Sequence, residues 1–217
     1  MIARSGTAGE RGWLPWLLAA WVPALLFLAA VPLAARLTGH PVSLFTRDVF
    51  SVAEVPVYTA LLSNAGVLLW CATATMCLFA AGALVETMPA RRFYLGFGAL
   101  SLAFLADDFF MLHEWIVPKV LGLPEVAVSA AYALALAGLL AVTRREVARR
   151  EPVLLGIAVA WFAASILLDV VERVPAPAWH YLAEEGCKFF GIVTWAVYFG
   201  RSSFRDARAS RRWTQVA

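Results

Sequence analysis

The segment DDFFMLHEW, residues 107–115, places two aspartates, a histidine and a glutamate at the end of an apolar run. Carboxylates beside an imidazole serve as general acids and bases, or as ligands of a divalent metal. An aspartate near the centre of a membrane costs about 2.5–3.5 kcal/mol on insertion scales. Such residues face the interior of a helical bundle and mark functional pathways. The segment therefore predicts a polar site inside a membrane domain.

A second set of ionisable residues lies closer to the C-terminus. His180, Glu184 and Lys188 recur at intervals of four and share one face of a helix, with Glu185 beside them. The predicted pocket also takes polar residues from the apolar runs before this helix. Its bordering members are Tyr58, Ser63, Asn64, Glu114, Asp169 and Glu172.

Roles within this pocket follow from residue type. Carboxylates with imidazoles suit Zn, Mn or non-haem Fe, and a metal-bound water is a nucleophile near neutral pH. The predicted metal ligands are Asp108, His113, His180 and Glu184. The predicted catalytic residues are Glu185 as general base, Lys188 as the group that neutralises charge or stabilises an oxyanion, and Asp107.

The stretch LADDFFMLHE resembles, in character, the aspartate-bearing span of the alkaline ceramidases. The resemblance implies a multi-span hydrolase in which histidines hold a zinc ion and Ser and Asp assist inside the bundle. The chain departs from that pattern because His180-x-x-x-Glu184 stands where a His-x-x-x-His pair is expected. We therefore carry over no residue roles from this family.

The elements that position these residues are predicted to be membrane-spanning helices. The chain has 217 residues, of which 62% are hydrophobic and 15% charged, whereas soluble domains carry about 25% charged residues. A span needs roughly 20 apolar residues. The sequence predicts an all-α integral membrane bundle of six spans, at about 13–37, 55–85, 93–117, 125–143, 153–173 and 178–200. The whole chain, 1–217, is predicted to be one membrane domain.

The distribution of basic residues predicts the orientation. Thirteen of the eighteen Lys and Arg residues fall in the N-terminus, the 86–92 and 143–152 loops and the tail 201–217. Positive residues accumulate on the cytoplasmic side, so both termini are predicted to be cytoplasmic in a multi-pass protein of the inner or plasma membrane. The basic tail is expected to lie along anionic lipids rather than to bind nucleic acid.

Helix geometry predicts that the acids converge. At about 1.5 Å per residue, Asp107, Asp169 and Glu184 all lie in one layer in the outer third of the bilayer. If the third span is one continuous helix, Asp107 and Glu114 share a side and His113 points elsewhere.

Several functions remain open on this evidence. The first is a metal-dependent hydrolase or oxidase that acts on a lipid-like or small-molecule substrate. The second is a proton- or cation-coupled transporter or channel, although the inner halves of the spans offer few ionisable groups. A structural or assembly protein and a retinal-type Schiff base on Lys188 are further alternatives. A homo-oligomer is compatible with each of these functions.

Overall fold

The computed structural model describes residues 14–171 and 178–213, and every regular element in these two ranges is helical. The α-helices are α1 Leu14–Thr38, α2 Ser43–Thr46, α3 Val49–Ala53, α4 Leu61–Phe79, α5 Met88–Phe110, α6 Val117–Leu121, α7 Glu125–Ala148, α8 Pro152–Val171 and α9 Ala178–Trp213. Two π-helical segments, Ala80–Leu84 and Leu112–Ile116, follow α4 and α5. The prediction of an all-α protein is confirmed.

Five of the described helices are long and apolar enough to cross a membrane. They contain the candidate spans Leu17–Thr38, Leu61–Leu84, Met88–Phe110, Glu125–Ala148 and Pro152–Val171. The predicted sixth span corresponds to the first part of α9, which is 36 residues long. That part carries Glu184, Glu185 and Lys188, so it is less apolar than the other five.

The chain divides into two compact units, one up to Thr59 and one from Ala60 onward. The first contains α1, a long apolar helix with Pro23 and Pro32 inside it, and the short helices α2 and α3. The second unit contains all the remaining helices. Within it α9 packs against α8 and α4, and α5 packs against α4 and α7.

Aromatic side chains fill the centre of the second unit. Phe97 packs with Phe93 and Phe199 at ring-centroid distances of 5.0 Å, and with Trp195 at 5.5 Å. All four rings are fully buried. Two helices approach closely at Gly98, where an added Cβ would lie 3.1 Å from the Cβ of Cys77 on α4. The bundle therefore has a solid centre between its two ends.

The third predicted span ends earlier than expected. Met111 adopts φ 52° and ψ 49°, the left-handed conformation that terminates a helix, so α5 stops at Phe110. The chain then forms the π-helical turn and the short helix α6. The continuous helix predicted for 93–117 is therefore wrong beyond Phe110, because one left-handed residue redirects the chain at the end of α5.

Candidate functional site

Asp107 and His113 form a close pair where α5 ends. The His113 ring Nδ1–H donates to Asp107 Oδ2 at 2.5 Å, and the His113 backbone N–H donates to Asp107 Oδ1 at 3.0 Å. Asp107 is buried, with 5% of its surface exposed. The sequence prediction that His113 points away from Asp107 is wrong, because the left-handed Met111 turns the chain back toward the helix.

The other nitrogen of His113 is surrounded by carboxylates. Its Nε2 lies 3.5 Å from Glu114 Oε1 and 3.9 Å from Glu125 Oε1, and Glu125 is within electrostatic range of Asp169. The hydrogen bond with Asp107 raises the pKa of His113 above its ordinary value, although partial burial opposes the effect. The geometry is that of an Asp–His dyad whose free nitrogen faces further acids.

A second pair links α5 to α9. Lys188 Nζ lies 2.8 Å from Asp108 Oδ1, and Trp70 Nε1–H on α4 donates to Asp108 Oδ2 at 2.8 Å. The Asp108 side chain is 8% exposed and that of Lys188 is 30% exposed. Both carboxylate oxygens of Asp108 are thus engaged, and the buried charge is compensated by the neighbouring ammonium.

A small cavity lies beside this ion pair. It has a volume of about 10 Å³ and is lined from α4, α5 and α9, which is close to the minimum that one water molecule needs. Asp108, Glu185 and Lys188 supply its charged lining and Ser63 a hydroxyl. The apolar lining residues are Leu62, Gly66, Phe189 and Ile192. Two carboxylates and an ammonium thus converge on the space for a single water.

The predicted metal ligands are engaged in other ways. Asp108 is paired with Lys188, and the His180 ring Nε2–H donates to the Leu168 carbonyl at 3.1 Å. Glu184 is half-buried on α9. In the described ranges 14–171 and 178–213, no group of three or more His, Cys, Asp or Glu is arranged to hold a metal ion.

The remaining predicted residues differ in position. Asn64 and Asp169 are exposed on α4 and α8, and Tyr58, 70% exposed, belongs to the first compact unit. Glu172 lies outside the residues that the structure describes. Of the bordering group, Ser63 lines the cavity beside Lys188 and Glu114 lies beside His113. Asp169 is within electrostatic range of Glu125.

The opposite end of the second unit, which we call the arginine end, is organised around Arg150. Its Nη1 donates to Glu146 Oε2 at 2.7 Å and its Nη2 to Asp206 Oδ2 at 3.0 Å. Tyr94 donates to the same Asp206 oxygen at 2.7 Å. The guanidinium lies 4.3 Å from the centre of the Phe93 ring. This network ties the turn between α7 and α8 to α5 and α9.

Sequence reasoning missed three of these contributors. The Glu146/Arg150 spacing of four was a usable signal for an ion pair, but Arg150 counted only as a loop charge. Glu125 stood at the start of the predicted fourth span and was not assigned to the pocket. Trp70 carried no signal, because an indole in an apolar run is typical of packing and its N–H partner lies on another helix.

Comparison with known proteins gives a family without an assigned activity. The profile described as "Domain of unknown function (DUF8692)" matches residues 10–202. No curated protein and no solved structure matches the chain.

Proposed function

We propose that this chain, which belongs to the DUF8692 family, is a membrane-embedded hydrolase of a lipid-like substrate. In this proposal it spans the inner or plasma membrane six times, with both termini in the cytoplasm. The five apolar helices and the length of α9 support the span count. The accumulation of Lys and Arg at the arginine end and in the connected loops supports the orientation.

The observation that carries the proposal is the water-sized cavity between Glu185, Lys188 and Asp108. Glu185 is the general base that takes a proton from the water. The water oxygen then adds to the carbonyl carbon of an ester or amide, and Lys188 stabilises the oxyanion. The bond to the alcohol or amine breaks, and the leaving group takes up a proton. Trp70 and Asp108 hold Lys188 in position.

The apolar lining favours a lipid-like substrate. Leu62, Phe189 and Ile192 line the same cavity as the charged residues. The acyl chain of a lipid could pack against these side chains and so remain out of contact with water. Phe189 and Leu62 are half-buried and Ser63 is exposed at the bundle surface. A substrate can therefore approach from the lipid phase without first crossing water.

The Asp107–His113 dyad fits the proton-donor step. Asp107 holds the ring by Nδ1, which leaves Nε2 for proton exchange, and Lys188 lies within electrostatic range of His113. A metal-dependent form of the same proposal also rests on His113. Histidines that bind Zn, Mn or Fe through one ring nitrogen typically donate the other ring N–H to a carboxylate, as His113 Nδ1–H does to Asp107. Glu114 and Glu125 are the neighbouring carboxylates.

Transport is the weaker candidate. A proton or cation path would have to continue from the acidic residues through the buried rings of Phe93, Phe97, Trp195 and Phe199. In the described residues of that layer, the Ser101 hydroxyl donates to the Phe97 carbonyl, and its Oγ accepts a hydrogen bond from the Trp195 indole N–H. This packed layer favours chemistry at one end of the bundle over conduction through it.

The test is hydrolysis by purified protein in neutral-detergent micelles, with fluorescently labelled lipid esters and amides as substrates. We expect release of labelled fatty acid, and a loss of about 10²–10⁴-fold in rate for Glu185→Gln. Glu86→Gln is the matched control, because Glu86 is exposed and lies in the turn between α4 and α5, at the opposite end of these helices from the cavity residues Ser63 and Asp108. Equal rates for wild type and Glu185→Gln would contradict the proposed base.

Metal dependence is measured on the same samples. Elemental analysis of protein purified without a histidine tag is compared with His113→Ala. Stoichiometric Zn, Mn or Fe that is lost in this variant supports the metal-dependent form, and activity without metal supports the metal-free form. If no lipid is cleaved but Glu185-dependent proton flux is found in liposomes, the hydrolase proposal fails and transport replaces it.

A further inference from the structure

The arginine end contains a second cavity, separate from the proposed hydrolytic site. It has a volume of about 290 Å³ and is lined by Glu151, Arg201, Ser202, Phe204, Arg205 and Arg208. All but Glu151 belong to α9, and Glu151 lies in the turn between α7 and α8. This is much more space than the cavity beside Lys188 offers, and most of the charged groups that line it are basic.

Three arginines face this cavity from one side of α9. Arg201, Arg205 and Arg208 are spaced by four and three residues, the spacing of neighbours on a helix surface. Arg201 is held by Glu151 through two hydrogen bonds, of 2.8 Å from Nε and 2.6 Å from Nη2. This contact lowers the pKa of Glu151 below its ordinary value, so the glutamate stays charged.

The other two arginines are held by a backbone carbonyl and by an aromatic ring, although Arg205 also lies within electrostatic range of Glu151. Arg205 Nη1 donates to the Arg149 carbonyl at 3.3 Å, and the Arg208 guanidinium lies 4.4 Å from the centre of the Phe204 ring. These contacts use few of the five N–H donors on each guanidinium. Each side chain is therefore partly pre-organised while it keeps donors for a ligand.

The nearby acids do not cancel this charge. Glu146 and Asp206 are engaged by the buried Arg150, and within the described part of the chain Glu151 is the acidic residue among the lining side chains. Three guanidinium groups against one carboxylate leave the cavity with a net charge of about +2. The arrangement favours an anion that accepts several hydrogen bonds.

We propose that this cavity binds a phosphate ester. Arginine forks pair bidentately with phosphate oxygens, and Ser202 supplies a hydroxyl to the same lining. The volume accommodates a phosphate with a small polar substituent. Phe204 is 60% exposed at the cavity, which suits a ligand whose other end is apolar. The phosphate comes either from the head group of an anionic lipid or from a soluble phosphate ester.

The test uses Arg205→Gln/Arg208→Gln in the full-length protein in neutral detergent. The probes are micelles doped with phosphatidic acid or with diacylglycerol, which lacks the phosphate, and soluble glycerol 3-phosphate. Binding is followed by native mass spectrometry and by thermal stabilisation. Arg144→Gln/Arg145→Gln is the matched control, because both arginines are exposed and the change removes the same charge from the C-terminal part of α7. Arg205→Lys/Arg208→Lys keeps the charge but removes the forked geometry.

We expect wild type and the Arg144/Arg145 variant to bind the phosphate probe, and the Arg205/Arg208 glutamine variant to lose at least tenfold in affinity. The lysine variant should bind with intermediate affinity. Binding of glycerol 3-phosphate supports a soluble ester, and binding of phosphatidic acid alone supports a lipid head group. The proposal is overturned if the phosphate probes bind no better than diacylglycerol, or if the glutamine variant and the control lose the same affinity.

Discussion

The carboxylate of Asp107 receives both the ring Nδ1–H and the backbone N–H of His113, six residues further along the chain. This double contact closes the turn that follows α5. It also fixes the orientation of the imidazole, so that Nε2 faces Glu114 and Glu125. One aspartate therefore both completes a helix end and sets the geometry of the candidate proton donor.

The stabilisation from this pair should depend on pH. The folded-state pKa of His113 is raised, chiefly by the hydrogen bond with Asp107. The stabilisation is thus fully present below the unfolded histidine pKa, ordinarily 6.5, and is lost as pH rises through the raised folded value. The charged groups that face the ring are Asp107, Glu114, Glu125 and Lys188.

Asp107→Asn measures this linkage. Thermal unfolding in detergent from pH 5 to 9 should show wild type more stable than the variant by about 1–3 kcal/mol at the acidic limit. The gap should narrow toward alkaline pH, where the neutral ring still donates its Nδ1–H to Asp107 but the attraction between the imidazolium and the carboxylate is lost. Glu86→Gln should show no such trend. A gap that stays constant across the range would contradict the linkage.

Removal of Lys188 should destabilise the protein strongly. Lys188→Met leaves the 8% exposed carboxylate of Asp108 without its cation, and breaking a buried pair in this way costs about 3–5 kcal/mol. The double variant Asp108→Asn/Lys188→Met should recover most of that loss, because no uncompensated charge remains. Lys119→Met, which loses only a cation–π contact with Trp115, should cost about 0.5–1 kcal/mol. The coupling would be contradicted if the loss of stability in the double variant equalled the sum of the losses in Lys188→Met and Asp108→Asn.

The left-handed Met111 is a site for stabilisation. A non-glycine residue at φ 52° carries a steric cost of roughly 1–2 kcal/mol that glycine avoids. Met111→Gly should therefore be more stable than Met111→Ala, which removes nearly the same side-chain atoms but keeps Cβ. The comparison is made by thermal unfolding in one detergent. If the alanine variant is the more stable of the two, the turn does not hold this conformation in solution.

Ser101 should contribute to stability through Trp195. The indole Nε1–H donates to Ser101 Oγ at 3.0 Å, and both residues are fully buried. Ser101→Ala leaves that N–H without its partner, which costs about 1–3 kcal/mol. Thr75→Ala is the control, because the exposed Thr75 hydroxyl bonds only to the Cys71 carbonyl one turn earlier. Equal unfolding temperatures for Ser101→Ala and wild type would contradict the contribution.

From the amino-acid sequence alone, the protein could be predicted to be all-α and apolar enough for a membrane. That follows from composition and from the length of apolar runs, which are local properties. The clustering of ionisable residues near the ends of α5 and α9 could be predicted for the same reason, because helical rise fixes their depth. The ion pair between Asp108 and Lys188 agrees with the predicted convergence of these two helices.

Tertiary structure decided which groups are partners. The spacing of Glu184 and Lys188 allowed a pair within one helix, but Lys188 contacts Asp108 on α5, because helix packing brings those groups within 2.8 Å. His113 reached Asp107 because one residue, Met111, adopts a backbone conformation that no periodicity encodes. Trp70 and Arg150 gained their roles in the same way, since hydrogen bonds between residues 38 and 56 positions apart depend on the packing of whole helices.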